Sequence, residues 1–151
     1  MADSIREQII QALITLLGGI TTTGGYETNI GNNVDRGVRG MLEDSDLPAI
    51  VVVTGTQSTN NGPIGKNTHN LEVEIFGEKT FMSSQTPEEQ SDKMLADIVK
   101  RLGTDTNLGG LAVDITQHTL DSGESETKTD VINALVGVTI QYRTGHLDPY
   151  N

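Results

Sequence analysis

The chain has 151 residues, 34% of them apolar, and carries 10 basic against 21 acidic side chains, a net charge of −11. That length suits one domain with a single core; with three Tyr, two Phe and no Trp, the core must be built from Ile, Val and Leu. So acidic a chain lacks the clustered Lys and Arg that phosphate-backbone binding requires, and the absence of Cys removes disulfides, thiolate metal sites and a Cys nucleophile.

In chain order, residues 4–17 predict a helix. Ser4 is a suitable N-cap and Glu7 three residues on is expected to complete a capping box, and Ile5, Ile9, Leu13, Leu16 and Leu17 form one apolar stripe that Gly18 and Gly19 end. Asp3 and Glu7 stand where a signal peptide needs basic residues. No apolar run approaches the ~20 residues of a membrane span, so the chain reads as a soluble protein made in the cytosol. Residues 21–33 read as a Thr, Gly and Asn loop, and 33–39 as a short strand marked by Val34 and Val38. The acids Glu43, Asp44 and Asp46, with Asp35 upstream, lack the glycine turn and spaced ligands of a calcium loop and read as a solvated turn.

Residues 47–53, LPAIVVV, are apolar on both faces, which requires cover on both sides of the sheet; a second subunit is the simple source of that cover. Residues 54–69 are rich in Gly, Asn, Ser and Thr and read as a long loop, the tip of an extended hairpin arm. Its GPIGK lacks the GxxxxGK[ST] pattern of a phosphate loop. Leu71, Val73 and Ile75 alternate with Glu72 and Glu74, a strand with one wet face. Thr86, Pro87 and Glu89 start a second helix over 87–102, with Met94, Leu95, Ile98, Val99 and Leu102 as its stripe. Leu111, Val113 and Ile115 predict a strand, residues 121–128 an acidic turn.

Residues 129–144 alternate strictly, with Ile132, Ala134, Val136, Val138, Ile140 and Tyr142 on one side. About 14 residues at ~3.3 Å each give roughly 45 Å, longer than a small core needs, so the far end is expected to pair with something else. The tail, 145–151, reads as polar and extended. The order predicts a single α+β domain over 1–151, a two-layer sandwich of a mainly antiparallel sheet with both helices on one face. Ile9, Leu13, Val51, Val73, Ile98, Val113, Val136 and Val138 are the expected core.

No pattern for chemistry emerges. His69, His118 and His146 share no ligand spacing, no serine sits in GxSxG, and the paired Glu72 and Glu74 are what any half-exposed strand presents.

Several pieces in order are distinctive: IREQIIQALITLLGGITT, GYETNIGNNVDRG, DLPAIVV, DIVKRLG, LGGLAVDI, and VTIQYRT followed by DPY. Together they resemble the tail terminator, or tail completion, proteins of long-tailed bacteriophages, the minor tail protein U type. The resemblance implies a virion protein with no catalytic residues and no cofactor, forming a ring, commonly a hexamer. That ring caps the tail tube at its head-proximal end, stops polymerisation and docks the head connector or stopper, while DNA passes through its lumen without specific binding. Expected partners are further copies of the chain, the tube protein and the connector. Glu43, Asp44, Asp46, Asp121, Glu124 and Glu126 are candidate lumen-lining acids. Ser58, Asn60, Ile64, Lys66 and Arg143 are candidate contacts to a neighbouring subunit or the tube. Alternative readings are another neck or head-completion protein, or a small monomeric binding module.

Overall fold

A computed structural model describes residues 2–81 and 86–151. Two helices, α1 (Ile5–Leu17) and α2 (Pro87–Leu102), accompany five strands: β1 (Val34–Arg36), β2 (Ala49–Asn61), β3 (Lys66–Thr80), β4 (Asp114–Glu124) and β5 (Val131–Gly145). The strands form one sheet in the order β1-β2-β3-β5-β4, antiparallel throughout except for β1 beside β2. This is the α+β sandwich the alternation and the two capped helices predict.

Both helix starts follow from their caps. Ser4 Oγ accepts from Glu7 N at 3.2 Å, and Thr86 Oγ1 from Glu89 N at 3.3 Å. Glu7 does not close a capping box: its carboxylate accepts from Arg36 Nη1 at 2.6 Å, tying α1 to β1. Arg101, in the last turn of α2, donates to the Leu16 carbonyl at 2.6 Å and satisfies the end of α1. Buried Asp97 accepts from Glu27 N, Thr28 N and Thr28 Oγ1 at 3.2, 2.8 and 2.6 Å, pinning the loop after α1 onto α2.

The register assigns the two sheet faces. Val73 pairs with Val138 and Ile75 with Val136, so Ile50, Val52, Leu71, Val73, Ile75 and the even residues of β5 look toward the helices. There they meet Ile9, Leu13, Leu17, Met94 and Ile98 in the main core. All six even residues from Ile132 to Tyr142 are buried.

Several expectations need correction. Val51 is buried but on the opposite face, in a second small cluster with Ala49 and Leu42, against which Leu47 and Val53 pack. The cover over LPAIVVV is therefore supplied in cis, by the connection from β1 to β2 crossing that face. Val113, just ahead of β4, is 45% exposed, because its neighbour Ala112 is the residue that turns into the main core. Residues 121–124 continue β4, leaving only 125–130 as the turn. The tail 145–151 folds back: Asp148 bridges to Gly145, and Pro149 O accepts from Ile5 N at 2.8 Å.

The largest correction concerns 54–69. Residues 54–61 complete β2 and 66–69 begin β3, so only the tip 62–65 lies outside the ladder. Thr, Ser and Asn tolerate an exposed strand, and composition alone reads them as loop. The far end of β5 pairs with this extension, Thr68 opposite Arg143 and Asn67 opposite Thr144. The long strand thus finds its partner within the chain.

Candidate assembly surfaces

Beyond the helices, β2, β3 and β5 continue as a three-stranded arm. A bulge between Thr54 and Gln57 shifts the β2 register where the arm begins. At its tip Ile64 and Gly65 have φ of 60° and 66°, both in the left-handed region. Ile64 is 96% exposed, an aliphatic side chain held out in water.

A polar network organises the arm on the helix side. His69 Nδ1 lies 2.9 Å from Thr59 Oγ1 on β2, and Nε2 lies 2.8 Å from Thr144 Oγ1 on β5. Tyr142 Oη donates to Gln57 Oε1 at 2.8 Å. Burial holds the His69 imidazole below its ordinary pKa and pushes the Tyr142 phenol up. The network borders a cavity of about 390 Å³ lined by Arg6, Asn67, Leu147 and Asp148 among others. Buried Asn67 Oδ1, on its wall, has no hydrogen-bond partner among the described residues.

The side away from the helices carries the sequence candidates. Ser58, Asn60, Lys66 and Arg143 all point there by register, since Ser58 pairs with Asn70, Asn60 with Thr68, and Thr68 with Arg143. Ile64, Lys66, Thr68 and Arg143 line one hollow of about 440 Å³ at the tip. The five contact candidates are thus gathered on one end and one face.

The acids gather at the opposite end. Glu43, Asp44 and Asp46 sit in an exposed 3-10 turn, closed by Asp46 accepting from Glu43 N at 2.8 Å. Lys128 reaches from the β4–β5 turn to Leu42 O and to Glu78, both at 2.6 Å, joining the two acidic segments. Asp121, Glu124 and Glu126 line a groove of about 620 Å³ with Arg39, Phe76 and Leu135.

Composition missed one cluster. His118 is the extra residue of a bulge in β4, and its Nε2 lies 2.7 Å from Glu72 Oε2, while Thr139 donates to Glu72 Oε1 at 2.7 Å. Glu74, beside it, is bound by Arg39. Glu72 and Glu74 do share the outer face, each held by its own partner, and no sequence spacing signals the His118 pairing because a bulge creates it.

Comparison with known proteins places the chain. No curated protein matches it. Among solved structures, a chain of the virion of a native gene transfer agent particle is similar at 10% identity and a TM-score of 0.37, covering 93% of this chain and 92% of that one. Residues 2–149 match the family described as Bacteriophage Tail Tube Terminator Protein. The chain belongs to that family of phage tail tube terminators, structural components of the virion.

Proposed function

We propose that six copies of this chain form a ring on the head-proximal end of the tail tube, where the ring stops tube polymerisation and presents the docking surface for the head connector. The reading is carried by family membership over residues 2–149, a structural family not known for catalysis. It is supported by an arm that projects past the core and ends in an exposed aliphatic residue, the form of a surface awaiting a partner. In this reading Ser58, Asn60, Ile64, Lys66 and Arg143 make contacts between ring subunits or to the tube. Of the two acidic groups, the Glu43, Asp44 and Asp46 turn faces the lumen. Negative walls repel phosphates, so DNA slides through without being held. Repetition around the ring adds the fields of the copies, within a Debye length of about 8 Å at physiological salt.

The test is polymerisation of the purified tube protein in the presence of this chain. Tubes of limited length carrying an annulus at one end are expected. Tubes that grow as in its absence, with bare ends, would contradict the reading.

A further inference from the structure

Charge is segregated along the sheet in a way the overall composition hides. None of the 21 acidic residues lies in 54–71 or in 131–147. These two stretches supply all three strands of the arm, and they carry Lys66 and Arg143. Glu72 and Asp130 border these stretches directly, Glu72 being held by His118 and Thr139, and Asp114 on β4 stands opposite Gln141 at the base of the arm. Asp148, in the folded-back tail, is engaged by Asn151 and Tyr150 N and is the acid whose carboxyl feels the Lys66 charge. The other end of the same sheet holds Asp121, Glu124 and Glu126 in a groove whose one basic lining residue, Arg39, is bound to Glu74. None of those three acids forms an ion pair among the described residues.

The shapes match as the charges do. The arm tip offers one projecting aliphatic side chain, Ile64, flanked by Lys66 and Arg143 around a hollow. The groove offers an apolar floor, Leu135 and Phe76, the latter partly capped by the Arg39 guanidinium 5.7 Å from its ring centroid, walled by acids. A chain cannot satisfy itself. The two surfaces lie at opposite ends of β5, whose 15 residues span roughly 46 Å at ~3.3 Å per residue.

We propose that the arm of one copy seats in the acidic groove of the next, Ile64 on Phe76 and Leu135 and the Lys66 and Arg143 cations against Asp121, Glu124 and Glu126. The occupant is a second copy of this chain because the groove complements the arm in charge and in its apolar centre. Such a contact uses different surfaces on the two partners. It leaves one arm and one groove unfilled at the ends of any open chain of subunits, and only closure into a ring satisfies every copy. The proposal rests on the ring reading and assigns its interface.

The experiment is charge reversal and re-reversal, read by native mass spectrometry and light scattering of the full-length chain, at low and high salt. Thermal melting of each variant serves as the folding control. Lys66→Glu with Arg143→Glu, both exposed, is expected to melt like the wild type and to weaken self-association by about tenfold or more, as charge reversal across a complementary interface does. Adding Asp121→Lys and Glu126→Lys to that pair is expected to restore assembly. Ile64→Asp supplies an independent variant that leaves the charges in place and is expected to weaken assembly likewise. Rings from the Lys66, Arg143 double reversal as stable as those of the wild type would overturn the inference while the ring reading stands. So would a double reversal that keeps its rings and loses only the tube protein. A wild-type chain that stays monomeric with and without tube would overturn both.

Discussion

His69 and Tyr142 are cross-strand partners whose rings stack at a centroid distance of 4.7 Å with 29° between their planes. Through Thr59, Thr144 and Gln57 this pair binds the three arm strands to one another, so a polar stretch of chain stays in the ladder. Burial disfavours the imidazolium. The group is more readily protonated unfolded than folded, so stability rises with pH through the window below the ordinary value of 6.5. Arg6 and Asp148 are the charged groups on the same cavity. Urea unfolding across pH should therefore show stability declining as pH falls below 6.5, with His69→Gln flattening that slope. The Glu7 carboxylate, lowered chiefly by its bond to Arg36, acts in a separate window below 4.5, where its stabilisation is lost. A His69→Gln variant with an unchanged slope would remove His69 from the pH dependence.

The main core gives a graded prediction. Leu13→Ala should cost about 2–5 kcal/mol, a large share of the stability of a domain this size. Val138→Asp should prevent folding, because it places a carboxylate in the centre of the main core. Val113→Ala, at an exposed site, should stay within about 0.5 kcal/mol of the wild type. Denaturant melts of the three order them directly.

How far the sequence reveals this molecule depends on which force holds each part. The helices were legible because their caps and stripes are local signals, and β5 was legible because its period of two survives for six buried residues. The arm is not, because its Gly and Asn are depleted in strands and the force holding it is a polar network centred on His69, spread across three strands. That Val51 is buried follows from its apolar run, but that it lies apart from the main core depends on a connection that returns over the sheet, a tertiary fact. Of the proposed contact residues, Ser58, Asn60, Ile64 and Lys66 lie in the segment the sequence marks as projecting, and Arg143 lies outside it. That Ser58, Asn60, Lys66 and Arg143 share one face required the register, which the bulge at Thr54–Gln57 shifts.

Asp97 should behave as a structural anchor. Asp97→Ala leaves the Thr28 hydroxyl and two backbone donors without their acceptor, and each buried unsatisfied group costs about 1–3 kcal/mol. Hydrogen exchange should quicken at Glu27 and Thr28 before the sheet is affected. Unaltered protection there would show that Asp97 does not hold the loop.

The lumen assignment is tested by Asp44→Lys. Glu43 and Asp46 are left in place because each side chain closes the turn by accepting from the other's backbone N–H. Particles should assemble normally and eject DNA more slowly, most clearly at low salt where screening is weakest. Ejection at the wild-type rate from intact particles would exclude Asp44 from an electrostatic lining.

The central claim is a ring of this chain at one defined place, and electron microscopy of phage tails carrying a labelled copy tests it most directly. The account predicts label confined to the head-proximal end of the tube, in an annulus that averages to six-fold symmetry. Label along the tube or at its distal tip, or a single copy per tail, would contradict it.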